Sequence, residues 1–460
     1  MSGTTTAKLC TWVAESPAVP AGSLLWKVAT THIADTIAVM IAGASSKAVA
    51  ALQAINDDRP LDGPALTVLG TSADARTAAL VNGAAAHVLD FDDFEMRALI
   101  GHPSAVVLPA VLAIAQESGA SLGEFVSAYA VGVEVAIRVG ELVNPDAFLR
   151  SWATTPVVGV VGATAGCGRL IGLDAATTEM ALGIAASLAS GLKFNVGSMT
   201  KALHTGNAAA QAVLAVRLAA RGYDAMPDFL QAEGGFAEAV AGRPVGEVPG
   251  TWPADREPAL TAGDIWLKQY PSCGATHAPI DALRDILATG LDPRSITQIM
   301  CEVPPHTLNV LPFRVPSTGL EGKFSLPYCL AVTVKDGLVT ARHFDEHLFR
   351  LPADVHDLIT CTSMSLAADW DADGYVTSQA PVGARISVLA GGKTHRAERI
   401  RPAWSSAAEI DRASFAQKVQ GCLHDRLSAP ETNAWIDGLS SAQADANLEL
   451  LTMPLAVRVG

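Results

Sequence analysis

Aromatic and charged side chains are scarce in this sequence. Of its 460 residues 5% are aromatic and 17% are charged, whereas half are hydrophobic. Alanine, glycine, valine and leucine dominate, a composition that favours helices packed closely through small side chains. No run of lysine or arginine occurs and the net charge is −14, so we expect no nucleic-acid partner. A chain of this length predicts two domains.

Paired cysteines and targeting segments are absent as well. The seven cysteines are scattered without a CxxC pair, which indicates a reducing compartment such as the cytoplasm and no zinc site. The N-terminus lacks the basic and apolar regions of a signal peptide. Inspection gives no apolar run of 18 residues, so we expect no membrane span and no membrane partner. The glycine-rich stretch 159–172 lacks GxGxxG spacing after a strand, which excludes a dinucleotide site there.

Helical periodicity dominates what the sequence does contain. From about residue 5 to about 245, apolar residues recur at three- and four-residue spacing, as in SLGEFVSAYAVGVEVAIRVGEL. Ser121 is a good helix N-cap, and Thr177 or Thr178 is expected to cap a later helix. The helical pattern resumes after about residue 405.

The middle of the chain has a different pattern. ITQIMCEV (296–303) mixes β-branched and alternating residues and predicts a strand. ARISVLA and THRAERI flank a glycine turn, which predicts a hairpin over 384–400. This part of the chain is therefore expected to be α+β.

The two patterns together predict the fold class and its domains. We expect a mostly α fold with an α+β part, in which a large all-helical domain accompanies a smaller α+β lid domain. A proline- and glycine-rich connector, 246–264, ends the first pattern. The predicted domains are 1–264 (all-helical), 265–400 (α+β lid) and 401–460 (C-terminal helices that return to the helical domain).

Titratable side chains are concentrated in HVLDFDDFEMRALIGHPSAVV (87–107). Three aspartates lie within four residues, a glutamate follows, and histidines flank the set. In GSMTKALHTGNAAAQ, Lys201 and His204 are three residues apart and share a helix face, a spacing that alone would indicate surface polarity. LKQYPSCGATHAPIDAL predicts a helix beginning at His277, and EGKFSLPYC places Tyr328 beside a proline.

These features also have ordinary structural interpretations. His87 in an apolar stretch is typical of a hydrogen-bonded core histidine. Asp92 and Asp93 are typical of helix caps or of arginine partners. Cys273 could be a nucleophile, but no cysteine–histidine pattern accompanies it, which favours core packing.

The motifs together resemble the MmgE/PrpD family, which includes 2-methylcitrate dehydratase, cis-aconitate decarboxylase and iminodisuccinate epimerase. The resemblance rests on NGAAAHVLDFDD, GHPSAVVLPA, GSMTKALHTGNAAA, EGGF, KQYPSCGATHAPIDAL and KFSLPYCLAV, which follow the family's order. It implies a large helical domain, a smaller lid and a homodimer. It also implies a site between the domains that needs no metal and no organic cofactor.

The family's site residues carry over one at a time. The resemblance implies catalytic roles for Asp90, His102, Lys201 and His277, and substrate contacts for His204, Tyr328, Phe94, Ala153 and Ser272. Two positions depart from the family pattern. Phe94 stands where many members have Thr or Ser after DFDD, and Ala153 stands where many have a histidine. Both departures predict a less polar pocket.

The family's reactions share a proton transfer at a carbon next to a carboxylate. A base near that carbon and cations on the carboxylate would serve dehydration, decarboxylation or epimerisation. We therefore expect a cofactor-independent lyase or isomerase acting on a small carboxylate. Two alternatives stay open: a biosynthetic enzyme of the same fold with a less charged substrate, and a binding protein that has lost catalysis.

Overall fold

The computed structural model of the protein is mostly helical. It describes residues 4–55, 63–244, 246, 248–249, 251–254, 256–367, 370, 382–405 and 410–457. Helix accounts for 57% of the described residues and strand for 9%. This confirms the expected mostly α fold with an α+β part. Part of the predicted connector 246–264 lies outside the described residues.

Helices dominate both the first half of the described chain and its end. The helices are α1 (Thr5–Glu15), α2 (Leu24–Ala42), α3 (Lys47–Ala54), α4 (Ala75–Val88), α5 (Pro103–Ser118), α6 (Leu122–Val143), α7 (Asp146–Leu149), α8 (Thr154–Leu170), α9 (Ala175–Ser187), α10 (Met199–Ala219), α11 (Phe236–Ala241), α12 (Ala259–Ala262), α13 (His277–Leu287), α14 (Pro305–Val310), α15 (Gly319–Gly322), α16 (Leu326–Asp336), α17 (Ala353–Thr360), α18 (Arg412–Leu423), α19 (Ala429–Ser441) and α20 (Glu449–Ala456).

Strands are few and mostly short. They are β1 (Ala65–Leu66), β2 (Ser72–Ala73), β3 (Phe94–Glu95), β4 (Ile265–Trp266), β5 (Ile296–Val303), β6 (Thr362–Leu366), β7 (Ala384–Ala390) and β8 (Lys393–Arg399). Four of them form one sheet in the order β6-β5-β7-β8, with only the β5–β6 pair parallel. The predicted strand and hairpin are confirmed. The apolar residues of β7 alternate with partly exposed ones because one face of the sheet packs on α13.

Local capping explains where two of the long helices begin. Ser121 caps α6 in a capping box with Glu124, as expected. The expected cap of α9 at Thr177 or Thr178 is wrong. Asp174 caps that helix instead, because its carboxylate accepts the N–H of Thr177 at 2.7 Å.

Two hydrophobic cores organise the described chain. The larger core joins residues 9–267 to residues 404–455, and α18 and α19 pack on α2. The second core contains the four-stranded sheet, α13 and α16, and it takes in Phe94 and Met96 from the first part of the chain. The paired strands β3 and β4 link the two cores. The domain boundaries and the motion of a lid stay predictions.

One long helix is apolar on average, although Lys27, His32 and Asp35 interrupt its apolar residues. Leu24–Ser45, which contains α2, is long and apolar enough to cross a membrane. In the structure 78% of its most apolar window is buried inside the protein. It packs against α4, α6, α18 and α19, which is the environment of a core helix.

Small residues let the two helices that carry the polar motifs approach closely. A Cβ atom added to Gly83 of α4 would lie 2.8 Å from the Cα atom of Gly206 in α10. Real Cβ atoms do not pack at that distance, so the glycines are required for this contact. The contact places the end of α4 next to the start of α10.

Candidate active site

The close pairing of α4 and α10 brings Lys201 to the DFDD segment. Lys201 Nζ lies 2.7 Å from His87 Nε2 and 2.6 Å from Asp90 Oδ1. His87 is buried in the last turn of α4, whereas Lys201 in the first turn of α10 is partly exposed. The ammonium group is therefore held from two sides by residues that are 114 and 111 positions away in the sequence.

Asp90 is the centre of this cluster. It follows α4 with a φ of 52°, and its N–H donates to His87 O at 3.0 Å. Its second carboxylate oxygen, Oδ2, accepts a hydrogen bond from Lys268 Nζ at 2.9 Å. Burial alone would raise the pKa of Asp90, but the charges of Lys201 and Lys268 outweigh it and hold that pKa well below its ordinary value. The carboxylate is thus ionised and tightly paired.

His102 lies beside Asp90 at the N-terminus of α5. Its Nδ1 atom is 2.8 Å from Asp93 O and 3.1 Å from Asp92 Oδ2, so Nδ1 carries the proton and donates it to these oxygens. In the neutral ring that arrangement places the lone pair on Nε2, which lies 4.0 Å from Asp90 Oδ1. The side chain is 15% exposed, and it lines the cavity described below.

His87 is held in its neutral form. Burial, followed by the charge of Lys201, lowers the pKa of His87 to about 4. Its Nδ1–H donates to Asp92 Oδ2 at 2.9 Å, which leaves Nε2 to accept from Lys201. Burial would raise the pKa of Asp92, but His87 and His102 hold it well below its ordinary value. The hydrogen-bonded histidine expected from the sequence is present, and it also borders the cavity.

Two lysines from the second half of the chain complete the cluster, and the sequence did not single them out. Lys268 is fully buried and donates to Asp90 O at 2.8 Å as well as to the carboxylate. Lys323 donates to Leu89 O at 3.0 Å. Burial lowers the pKa of Lys323 to about 7, although the charge of Asp90 acts against the shift. The quoted KQYPSCG and EGKFSLPYC stretches contain both lysines, but nothing local indicates their partners.

A third unexpected lysine comes from the C-terminal helices. Lys418 of α18 lies 2.6 Å from Asp35 Oδ1 of α2 and donates to Phe91 O at 3.0 Å. Both charged groups are buried. Burial, offset in part by Lys418, raises the pKa of Asp35 to about 6. Lysines from three separate segments therefore hold the main chain of residues 89–91.

The remaining acids of the cluster shape the loop. The Glu95 carboxylate accepts the N–H groups of Ala98 at 2.9 Å and Leu99 at 2.6 Å, so it folds the loop back toward β3. Asp93 Oδ2 lies 2.8 Å from His32 Nδ1 and accepts the hydroxyl of Ser104. Asp93 Oδ1 also accepts the N–H of Ser104 in the first turn of α5 at 3.2 Å. Asp92 and Asp93, the two acids expected to cap a helix or to pair with an arginine, have histidines and not arginines as their titratable partners in these contacts.

A cavity of about 530 Å³ opens beside this cluster. It lies between the two cores, because both α10 and the 309–324 segment contribute to its walls. Its polar end contains Asp90, His102, Lys201 and His204. Its other walls are mainly apolar and aromatic, and they include Phe94, Met96, Ile100, Phe148, Leu192, Phe194, Val310, Phe313 and Phe324.

Three expected site residues, Tyr328, Ser272 and His277, are not on the cavity wall. The Tyr328 hydroxyl donates to His343 O at 2.6 Å, because the ring packs among Phe344 and Phe349 in a small separate core. Ser272 is fully buried with its hydroxyl 2.8 Å from Thr276 Oγ1.

His277 begins α13 as expected but lies behind the wall. Its ring is buried against Tyr270 at 5.0 Å and Phe94 at 6.2 Å between centroids. Burial, followed by the charge of Lys268, lowers its pKa to about 3. The ring is therefore neutral, and it is not on the cavity wall, which includes its neighbour Phe94. Its catalytic role stays a prediction.

The two departures from the family pattern do reach the cavity. The Phe94 ring packs edge-to-face on Trp266 at 5.4 Å and forms part of the wall. Ala153 caps α8, and its N–H donates to Gly191 O at 3.1 Å. Cys273 also lines the cavity, but burial, followed by the charge of Asp90, raises its pKa to about 11, which does not favour a nucleophile.

Comparison with known families decides where the chain belongs. The model of the MmgE/PrpD N-terminal domain matches residues 7–247, and that of the MmgE/PrpD C-terminal domain matches residues 270–439. The chain is a member of the MmgE/PrpD family. The family expectation drawn from the motifs is confirmed.

Curated relatives of this MmgE/PrpD protein include cis-aconitate decarboxylases. That of Aspergillus terreus is 28% identical over 325 residues, which cover 65% of each chain. That of Homo sapiens is 29% identical over 310 residues, 64% of this chain and 62% of the human one. The chain thus spans less than two thirds of these relatives. The cis-aconitate decarboxylase-like protein oryM of Aspergillus oryzae is 28% identical over 418 residues, 84% and 83% of the two chains.

The donor set of this MmgE/PrpD site also resembles a metal centre. His87, Asp90, Asp92 and His102 offer ligand-type atoms that all lie within 4.8 Å of one another. Both oxygens of Asp90 and both nitrogens of His87 already have hydrogen-bond partners. A divalent ion would therefore have to displace the ammonium of Lys201, which occupies the position of a cation between them.

Proposed function

We propose that this MmgE/PrpD protein is a cofactor-independent lyase that transfers a proton at a carbon next to the carboxylate of a small substrate. One observation carries the proposal. The Lys201 ammonium stands at the polar end of the cavity, bound to Asp90 and His87, with His102 beside the same aspartate. A cation and a base on one wall are what carbon-acid chemistry requires.

His102 is the group best suited to take the proton. Its Nδ1–H is committed to Asp93 O and Asp92, so Nε2 has a lone pair available to the cavity. After Nε2 accepts the substrate proton, the imidazolium is stabilised by the carboxylates of Asp90 and Asp92. Asp90 is a poorer base because its depressed pKa reflects strong pairing with two ammonium groups.

Lys201 is suited to stabilise the charge that then develops. The electron pair of the broken C–H bond moves toward the substrate carboxylate, which becomes more negative. Asp90 and His87 accept two of the three N–H groups of Lys201, and the third is left for a substrate oxygen. Because the ammonium is fixed in advance, little reorganisation is needed in the transition state.

The fate of the carbanion sets the reaction type. Loss of a β-hydroxide gives dehydration, with the imidazolium proton leaving as water. Return of the proton to the opposite face gives epimerisation. In decarboxylation no C–H bond is broken: the C–CO₂ bond supplies the electrons, and His102, which enters this step as an imidazolium carrying a proton from solvent, protonates the carbon. The printed names of the relatives support decarboxylation as the first reaction to test.

The two alternatives have different support. The aromatic cavity walls favour a less charged substrate, as expected for a biosynthetic enzyme of the same fold. A binding protein without catalysis is less well supported, because the paired lysine, aspartate and histidines are all present.

We also propose that the protein is cytoplasmic and forms a homodimer. Light scattering would test the dimer against the 47.6 kDa monomer mass.

The experiment follows proton transfer directly. A panel of small carboxylates is incubated with the protein in D₂O, and exchange at the carbon next to the carboxylate is followed by NMR, with evolved CO₂ and new double bonds as further readouts. His102→Gln should lower the rate by roughly 10²–10⁴-fold. His424→Gln is the matched control, since His424 is 70% exposed. An unchanged rate in His102→Gln would refute its role as the base.

A further inference from the structure

The polar end of the cavity contains little unpaired positive charge. Its charged lining residues are Asp90, Lys193 and Lys201. Asp90 neutralises Lys201 at 2.6 Å. Lys193 donates to Phe148 O at 3.1 Å and lies 3.9 Å from the centroid of the Phe148 ring. Burial also lowers the pKa of Lys193.

Two of the histidines on the wall, His87 and His204, add little to this charge. The pKa of His87 is lowered to about 4, and burial together with Lys201 lowers the pKa of His204. Both rings therefore favour their neutral forms near pH 7. Among the described residues no arginine lines the cavity, although arginine is the side chain best suited to bind carboxylates in pairs.

A substrate with three carboxylates would be poorly matched to such a site. Each carboxylate that enters without a partner loses its hydration, and an unpaired buried charge is strongly unfavourable. The available groups fit one carboxylate at Lys201 and at most a second one toward Lys193. The position at which many relatives carry a further histidine is occupied by Ala153, which adds only a methyl group.

The remainder of the cavity is an aromatic channel. Phe148 and Phe194 line it from the first half of the chain, and Phe313 and Phe324 line it from the second core. The Phe313 ring packs directly on the backbone of Gly197, where an added Cβ would lie 2.6 Å from its Cε2 atom. Phe194 is 90% exposed although it borders the cavity, so a large apolar ring stands where the channel meets solvent.

We propose that the substrate is an amphiphilic acid, with one or two carboxylates at Lys201 and an alkyl or aryl group of several carbons along this aromatic wall. The proposal rests on the proposed function for the carboxylate end of the substrate, and it adds the chemical class of the rest of the substrate. The volume of about 530 Å³ accommodates such a group, because pockets of roughly 300–1,000 Å³ enclose drug-sized ligands. Burial of the alkyl or aryl group would supply binding free energy that the few cations of the cavity do not.

A chain-length series tests the proposal. The probes are 2-alkylsuccinates from methyl to octyl, with cis-aconitate as the tricarboxylate. Calorimetry gives the dissociation constant, and deuterium exchange in D₂O gives proton transfer. The dissociation constant should fall by roughly two- to fourfold per added methylene until the channel is filled. Phe313→Ala should flatten this dependence, whereas Leu348→Ala, at a 73% exposed position outside the cavity wall, should not.

The two readouts separate failure of this inference from failure of the proposed function. If cis-aconitate binds and reacts better than every alkylsuccinate, the amphiphilic substrate class is overturned, and the proton-transfer function stands. If long-chain acids bind in a chain-length-dependent way but exchange no deuterium, the ligand class is supported and the proposed reaction fails. If no probe binds, or if Phe313→Ala keeps the full dependence, the aromatic wall is not the binding surface and the inference is overturned.

Discussion

Lys268 Nζ lies 2.9 Å from Asp90 Oδ2 and 2.8 Å from the main-chain oxygen of the same residue. Lys268 follows β4, whereas Asp90 follows α4, so one buried ion pair joins two parts of the chain that are 178 residues apart. Lys268 thus helps to keep Asp90 ionised, and it holds the aspartate in the position in which it binds Lys201.

Removal of Lys268 should destabilise the protein. Lys268→Met leaves the buried Asp90 with one ammonium partner, and breaking a buried pair typically costs about 3–5 kcal/mol. Urea unfolding would measure the loss. The double variant Asp90→Asn/Lys268→Met should lose less than the sum of the single variants, because neither charge is then left alone. Additive losses would show that the pair is not coupled.

The pH dependence of stability should reflect the buried histidines. The folded pKa is about 4 for His87 and about 3 for His277, whereas an unfolded histidine titrates near 6.5. Below about pH 6.5 the unfolded chain therefore binds protons that the folded chain does not. The free energy of unfolding should fall as the pH drops from about 6.5 toward 4. Denaturant unfolding at several pH values measures this slope.

His87→Gln should make that slope shallower, and His424→Gln should leave it unchanged. Asp35 acts in the opposite direction. Its folded pKa is raised to about 6 from 3.8, so its contribution is complete below pH 3.8 and is lost as the pH rises through 6. A wild-type stability that rises as the pH falls from 6.5 to 4.5 would contradict the assignment of the histidines.

Lys418 should stabilise the fold next to the site, because it pairs with buried Asp35 and donates to the main-chain oxygen of Phe91. Lys418→Met leaves Asp35 buried without its cation, which should cost about 3 kcal/mol at pH 8. The loss should be smaller at pH 5, where the carboxyl can be neutral because its pKa is raised. Asp35→Asn/Lys418→Met should recover part of the stability. Equal losses at both pH values would contradict this account of the pair.

The Ala153 position should limit turnover of cis-aconitate. If the histidine found in many relatives transfers a proton, its absence costs roughly 10²–10⁴-fold in rate. Wild-type protein should therefore react slowly with cis-aconitate, and Ala153→His should be faster. The melting temperature must be compared first, because the new ring would lie next to Trp152, which pairs with Leu192. Efficient turnover by the wild type would show that Ala153 does not mark a changed substrate.

Local sequence predicts some of these features and misses others for a physical reason. Strand β5 and the β7–β8 hairpin follow from alternation, because each strand has one buried face. Lys201 was assigned to the site through the family resemblance of GSMTKALHTGNAAA, because its local spacing to His204 alone indicates only surface polarity. Lys418 was missed because its acceptor at Phe91 lies 327 residues away, and no periodicity encodes such a contact.

Local sequence patterns also did not predict which way the rings of Tyr328 and His277 point. Tyr328 stands beside Pro327 in a motif from which the family resemblance predicted a substrate contact, yet its ring packs against Phe344 and Phe349. His277 begins its predicted helix but faces inward, since the ring of Phe94 covers it. Helix starts follow from local residues, whereas the direction of a side chain depends on what packs around it.

The central claim is that the ammonium of Lys201 stabilises the charge formed when a proton leaves the substrate. The most direct test compares deuterium exchange next to the carboxylate in wild type, Lys201→Met and Lys27→Met, where Lys27 is an exposed lysine. With the best acid of the panel, Lys201→Met should lose at least about a hundredfold in exchange rate at a temperature where circular dichroism shows it still folded, and Lys27→Met should match wild type. Wild-type exchange in folded Lys201→Met would contradict the account.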